Sequence, residues 1–370
     1  MRKIPNSKYK KKKMFRNSMI PLVLVCFFFF WKVESQAKIS PALYTFGDST
    51  VVSWNDVVLN TPGKANYPPY GIDFPTRPNA RVTNGATISD FFAQWLGIQS
   101  PPSFLSINPK TSKFSEGFNY ASGSAGIHSE TGTADPGVVN LSMEKQIELF
   151  RKTVQEYLPR LFTKEAELRN HLSKSIFLVV VGSNDYSLNY LSSQYNTSRI
   201  FNMVQFADSL VYNLQTQLQD LFSLGARKFV VFEIEPVGCK PAFLQTVNSK
   251  AQCAEKVNSY IASYNHKLGV MVQSMRLRNT TFVLAKRYQF MNDLMANPTR
   301  YGLKDSVDPC CAVLKSGMCI PNKAPCQDRN SHVFFDANHP TEVVYKTIAE
   351  QCFKGTDQCV PINIQELAKK

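Results

Sequence analysis

The sequence predicts a three-layer α/β/α sandwich built on a mainly parallel sheet, and three observations carry that expectation. Short apolar runs alternate along the chain with longer amphipathic ones, the order that arises when strands are joined by crossover helices. Residues 176–181 are apolar throughout, as a strand covered on both faces requires. Beyond that run, Met203, Phe206, Leu210, Leu214, Leu218 and Leu221 recur at three- and four-residue steps, which gives residues 199–222 the single buried face of a helix.

Taken in order, strands are expected at 42–46, 117–121, 176–181, 228–234 and 281–285, with further helices over 141–162 and 250–275. Two stretches break the alternation. Residues 61–82 are rich in Pro, Gly and Tyr and read as an ordered loop, and residues 301–335 carry Cys310, Cys311, Cys319 and Cys326. Loops of this kind are where sites are built. A last helix opens at Thr341, after Pro340.

The chain has 370 residues, 44% of them hydrophobic, enough to bury a large core. Its formal net charge of +14 suggests a nucleic-acid partner until the charge is located. Residues 1–37 hold nine Lys/Arg and one Glu, so the rest keeps 33 basic and 27 acidic side chains. A net +6 spread over 333 residues, with no dense basic run interleaved with aromatics, excludes a nucleic-acid groove.

Residues 1–37 have the grammar of a secretory signal: a basic region from Arg2 to Arg16, an apolar stretch from Met19 to Trp31, then Ser35 and Ala37. A membrane anchor is the alternative, but 13 apolar residues fall short of the ~20 that a spanning helix needs. Cleavage after Ala37 would leave residues 38–370 as one domain without stable membrane insertion. Sequons at Asn140, Asn196 and Asn279 agree with export and predict N-glycans; Asn297 is excluded by the Pro that follows it.

Of nine cysteines, Cys26 leaves with the signal and eight remain, an even number suited to disulfides in an oxidising compartment. A zinc site is the competing reading of the 310–326 cluster, but adjacent cysteines followed by gaps of eight and seven do not match common zinc spacings. Spacing alone leaves 105 pairings open. Cys239 with Cys253, and Cys352 with Cys359, are short loops that could close.

Four strand-edge motifs supply complementary roles in one reaction. Tyr44-Thr-Phe-Gly-Asp-Ser49 ends an apolar strand in a Gly-Asp turn, which exposes the Ser49 hydroxyl at the carboxyl edge of the sheet. Alone, such a tripeptide is commonly just a turn. Val333-Phe-Phe-Asp-Ala-Asn-His-Pro340 sets Asp336 three residues before His339, so one short loop can present a base and the carboxylate that orients it. A helix-capping loop with an incidental histidine is the plainer reading of that segment alone. Gly182-Ser-Asn184 and the Gly-rich 119–127 turn offer oxyanion donors, although both can be purely structural.

At these residues the sequence resembles the plant-type GDSL esterase/lipase family of SGNH hydrolases, over nearly the whole mature chain. The resemblance also runs through Asn66-Tyr-Pro-Pro-Tyr-Gly-Ile-Asp-Phe-Pro75, Arg81-Val-Thr-Asn-Gly85, Leu224-Gly-Ala-Arg227, Pro236-Val-Gly-Cys239 and Asp336-Ala-Asn-His-Pro-Thr-Glu342. It implies a flavodoxin-like fold, Ser49 as nucleophile, His339 as base and Asp336 as its partner. It further implies an oxyanion hole from the Ser49 N–H, Gly126 and the Asn184 side chain, and chemistry without metal or organic cofactor. The implied substrates are small-molecule or lipid carboxylic esters; the secretory signal sets the expected location as extracellular, in apoplast or cell wall, with the vacuole also open. Where the family usually reads Val-Asp-x-Gly-Asn-Asn, this chain has Val51-Val-Ser-Trp-Asn-Asp56, so Trp54 is expected either to narrow the acyl pocket or to perturb the turn that aims Ser49. Ser124 also replaces a common Gly, and Cys352 with Cys359 look like an added disulfide. A secreted binding protein on the same fold and an extracellular acyltransferase are the alternative readings.

Overall fold

In the computed structural model, which describes residues 37–61, 63–76, 80–108, 111–246 and 253–370, the sheet begins with β1 (Leu43–Gly47), buried at every position. The expected signal lies outside the described residues apart from Ala37. Helices α1 (Asn55–Val58), α2 (Ile88–Leu96), α3 (Met143–Lys152) and α4 (Glu165–Lys174) lead to β2 (Ile176–Val180). The chain continues through α5 (Thr197–Ile200), α6 (Met203–Ser223), β3 (Lys228–Phe232), α7 (Pro241–Thr246), α8 (Glu255–Ser274) and β4 (Thr281–Ala285). It ends with α9 (Arg287–Ala296), α10 (Glu342–Lys354), β5 (Cys359–Val360) and α11 (Ile364–Lys369).

The sheet order is β1-β2-β3-β4-β5, parallel except for β5, which runs antiparallel to β4. The register is level, with Leu43 opposite Ile176, Ile176 opposite Lys228 and Lys228 opposite Thr281. All four parallel strands therefore open their carboxyl ends along one edge. The apolar strands serve two cores. Ile176, Leu178 and Val180 pack with α2, α9, α10 and α11, while Phe177, Val179 and Val181 pack with α3, α4, α6 and α8. This is the three-layer sandwich that the alternation predicts.

The segment expected as a strand at 117–121 lies along the free edge of β1 without forming a continuous strand. It joins through Leu43 N to Glu116 O (3.0 Å), Thr45 N to Phe118 O (2.9 Å), Tyr120 N to Thr45 O (2.8 Å) and Ser122 N to Gly47 O (3.1 Å). With this segment outside β1, the order becomes that of a flavodoxin-like sheet, and the chain reverses direction across the sheet between β1 and β2.

Two expected helices are interrupted for identifiable reasons. In 141–162 the α-helix stops at Lys152 and continues as a π-helical turn (Thr153–Tyr157) and a 3₁₀ turn (Leu158–Arg160). Thr153 Oγ1 donates back to Leu149 O (3.1 Å) and pairs with the Tyr120 hydroxyl (2.7 Å), a competition known to bend helices. In 199–222 the helix starts afresh at Met203. Asn202 Oδ1 accepts from Val204 N and Gln205 N, and Gln205 returns a bond to Asn202 N, completing a capping box.

All eight described cysteines are paired: Cys239–Cys253, Cys310–Cys326, Cys311–Cys319 and Cys352–Cys359. The cluster read from its spacing as a disulfide framework is one, and its two nested bridges brace the long 301–335 loop. No helix among the described residues is long and apolar enough to cross a membrane.

Below the sheet, His171 on α4 is buried, with Nε2 3.1 Å from the Tyr44 hydroxyl and its ring against Phe162. Burial lowers its pKa to about 4. The unfolded chain thus binds a proton more readily than the folded one, and this site withdraws stability as pH falls from about 6.5 towards 4. Chemical denaturation of His171→Gln against the native sequence should show a shallower loss of stability over that window; parallel pH curves would rule the linkage out.

Candidate active site

Ser49 owes its position to the end of β1. The Gln146 side chain clasps Gly47, accepting from its N–H and donating to its carbonyl, both at 2.8 Å. Asp48 N donates to Val180 O (3.0 Å), tying the turn to the end of β2. The buried Asp48 carboxylate accepts from Thr50 N (2.9 Å) and Ser183 Oγ (3.2 Å). Burial, then the Glu235 charge, raises its pKa. Ser49 and Asn184 thus follow the two strands that flank the reversal in strand order, the position where open α/β sheets bind ligands.

From the other side of the molecule, the loop after 333 brings His339 onto the serine. His339 Nε2 lies 2.8 Å from Ser49 Oγ, and Nδ1 lies 2.9 and 3.0 Å from the two oxygens of Asp336. Because an ionised carboxylate only accepts, Nδ1 is assigned the proton and Nε2 is free to accept from the serine hydroxyl. Asp336 is fully buried and also accepts from Asn338 N and His339 N, both at 2.8 Å, and from the Tyr70 hydroxyl at 2.7 Å. Burial and the Asp336 charge both raise the Tyr70 pKa, which keeps the phenol protonated and donating.

The turn from Ser122 to Thr131 is gripped at several points. Asn184 Nδ2 donates to Ala125 O (3.0 Å), which uses one of its two amide hydrogens. Asp185 accepts from Ile127 N (2.8 Å), His128 N (3.1 Å) and Thr131 Oγ1 (2.8 Å). A Cβ on Gly126 would stand 2.6 Å from Asp185 Oδ1 and 2.5 Å from Thr131 Cβ, so only glycine fits there. Among the described residues, neither the Ser49 N–H nor the Gly126 N–H has a protein acceptor, whereas the Gly123 N–H is committed to Asp56. Free main-chain donors beside a serine are what an oxyanion requires.

The three sequons separate by burial. Asn196 and Asn279 are exposed, but the Asn140 side chain is wholly buried, with Nδ2 donating to Ser124 O (3.0 Å) and Thr131 O (2.9 Å). A glycan on that nitrogen would displace both bonds and the turn they hold. Val52 packs in the core, in the cluster that holds Tyr70, while Trp54 is partly exposed.

Sequence reading did not find Tyr70, Gln146 or the work of the 81–85 segment. Thr83 Oγ1 donates to Pro340 O (2.8 Å), Asn84 Oδ1 accepts from Glu342 N (2.8 Å), and Glu342 Oε1 accepts from Ala86 N (2.9 Å). Residues 83–86 therefore fix the chain just beyond His339. The only available signal was that Tyr70 and Arg81–Gly85 fall in motif blocks of the resemblance.

Fold and geometry define an α/β protein with a serine, a histidine and a buried carboxylate in one hydrogen-bonded chain at its sheet edge. The GDSL-like Lipase/Acylhydrolase family profile matches residues 43–352. GDSL esterase/lipase 7 of Arabidopsis thaliana is 38% identical over 352 residues, covering 92% of this chain and 96% of that protein. GDSL esterase/lipase At1g33811 of the same plant is 38% identical over 365 residues, covering 95% of this chain and 97% of its own length. The chain belongs to the GDSL-like lipase/acylhydrolase family.

Tyr70 also accepts from Cys319 N (2.9 Å), so its hydroxyl joins the 61–82 loop, the disulfide-braced loop and Asp336. Tyr70→Phe should destabilise the fold by about 1–3 kcal/mol, the cost of leaving buried polar groups unpaired. Urea denaturation reads this directly, and an unchanged midpoint would show that the contacts are not maintained in solution.

Proposed function

We propose that this protein is a secreted carboxylic-ester hydrolase working through an acyl-enzyme, with Ser49, His339 and Asp336 as its triad. The observation that carries this reading is the continuous Ser49–His339–Asp336 hydrogen-bond chain. Ser49 Oγ attacks the ester carbonyl while His339 Nε2 takes its proton, and Asp336 holds the tautomer and stabilises the imidazolium. The developing oxyanion is met by the Ser49 N–H, the Gly126 N–H and the second Asn184 amide hydrogen. His339 then protonates the leaving alcohol, and water attacks the acyl-enzyme by the reverse path. The curated relatives carry the name esterase/lipase, which supports an ester as the substrate.

Export is supported by four disulfides, which persist in oxidising compartments. N-glycans are assigned to the exposed Asn196 and Asn279 and withheld from the buried Asn140. Secreted protein treated with a glycan-removing amidase should lose at most two glycans, and mass spectrometry should find Asn140 unmodified; an occupied Asn140 would overturn this assignment.

Secreted protein is expected to hydrolyse p-nitrophenyl esters, with Ser49→Ala lowering kcat roughly a thousandfold or more. Asn184→Ala should cost about a hundred- to a thousandfold in kcat, as loss of one oxyanion donor does elsewhere. A chain-length series with Trp54→Gly tests whether Trp54 restricts the acyl group, through a shift of the optimum towards longer chains. Folded protein without turnover and without fluorophosphonate labelling would defeat the esterase reading.

A further inference from the structure

Asp56 is a buried carboxylate that the triad and its donors leave unused. It is 1% exposed, with Oδ1 accepting from Ser122 Oγ and Oδ2 from Gly123 N, both at 2.7 Å. Its neighbour Asn55 donates to the carbonyls of Asn119 and Ala121, both at 2.9 Å, so α1 grips the same segment at successive residues. Gly123 closes tightly on this contact: a Cβ there would lie 2.7 Å from Asp56 Oδ2. The turn continues through Ser124 at positive φ to Ala125, whose carbonyl holds Asn184, and to Gly126.

Among the described residues no ion pair explains the charge. The 122–127 turn and the 104–106 turn packed on α1 carry no charged side chain, and at the turn's far end stand His128 and a second carboxylate, Asp185, which accepts from the backbone there. Burial outweighs the Ser122 and Gly123 donors and pushes the Asp56 pKa up to about 6. An uncompensated buried carboxylate is a poor device for stability alone, because desolvation opposes its two bonds. As a device for aiming a main chain it is apt, since an acceptor-only group dictates where an N–H and an O–H point.

We propose that Asp56 is a positioning residue for the oxyanion turn, its carboxylate fixing Ser122 and Gly123 so that the following Gly126 N–H and the Asn184 amide are aimed at the substrate oxygen. The inference rests on the esterase reading and adds to it a residue that touches no substrate. A turn released at Gly123 still admits the ester but stabilises its transition state less, so the loss falls on kcat.

The test is steady-state hydrolysis of p-nitrophenyl butyrate by the secreted full-length protein and its Asp56 variants. Asp56→Ala should lower kcat about ten- to a hundredfold with KM within about threefold. Asp56→Asn should recover to within about fivefold of wild type, because its amide oxygen can accept from Gly123 while the Ser122 hydroxyl turns to accept from the amide nitrogen. If Asp56→Ala does not fold, Ser122→Ala removes half of the contact and should lower kcat about two- to tenfold at constant KM. An unchanged kcat in folded Asp56→Ala, an equal loss in Asp56→Asn, or an unchanged kcat in Ser122→Ala overturns the proposal. Wild-type turnover abolished by Ser49→Ala but indifferent to Asp56→Ala overturns this inference alone, whereas an inactive wild type overturns the esterase reading with it.

Discussion

Asp336 has no contact with water, and its two oxygens must be satisfied by the protein itself. Among the described residues no Lys or Arg side chain bonds to it. Two backbone N–H groups of its own loop, the His339 ring and the Tyr70 hydroxyl do so instead, and the last two tie that loop to other parts of the chain. Tyr70 commits the 61–82 loop and, through Cys319 N, the disulfide-braced 301–335 loop. His339 reaches the sheet edge and Ser49. The described parts of the two irregular stretches thus meet over a carboxylate that solvent cannot serve, and Tyr67 with Cys319 and Arg329 with Asp73 join them further.

The sheet supplies the other half of the arrangement. Because the four parallel strands are in level register, the turns after β1 and β2 emerge side by side, and Asp48 N to Val180 O locks them together. Gln146, from α3, clasps the last residue of β1 from one layer, and the 83–86 segment anchors the chain beyond His339 from the other. Serine and histidine, 290 residues apart, meet because each is held by the layer on its own side of the sheet. Rigid support of this kind keeps a catalytic hydrogen bond within the narrow geometry it needs.

What could be read from the chain follows the range of the interactions. The apolar period fixed α6 to within a turn, because a buried face repeats locally, yet the break at Phe201–Asn202 was missed although Asn202 and Gln205 spell a capping box. Strand β5 is two residues long and gives no pattern to find. Ser49, Asp336 and His339, which the structure joins in one hydrogen-bonded chain, were picked out because several strand-edge motifs coincide with the family resemblance; each motif alone reads equally well as a turn or a cap. Tyr70, Gln146 and Asp56 were not, since their partners lie 266, 99 and 67 residues away. The burial of the Asn140 sequon was hidden for the same reason: three residues specify the tripeptide but not whether the fold buries it.

The buried carboxylates also set how the protein responds to acid. Asp56 and Asp185 both have pKa values raised to about 6 by burial, against ordinary values near 3.8. Between those limits the folded state binds protons more readily than the unfolded one, so these two groups favour folding as pH falls from about 6 towards 4. His171 acts with the opposite sign over nearly the same window. The opposing linkages offset each other in overall stability, but they sit in different places: His171 lies beneath the sheet, and the two aspartates hold the turn beside Ser49. A neutral Asp56 or Asp185 has one fewer acceptor oxygen for the donors that grip that turn. Protonation of either aspartate in mild acid therefore changes the hydrogen bonding that holds the 122–131 turn.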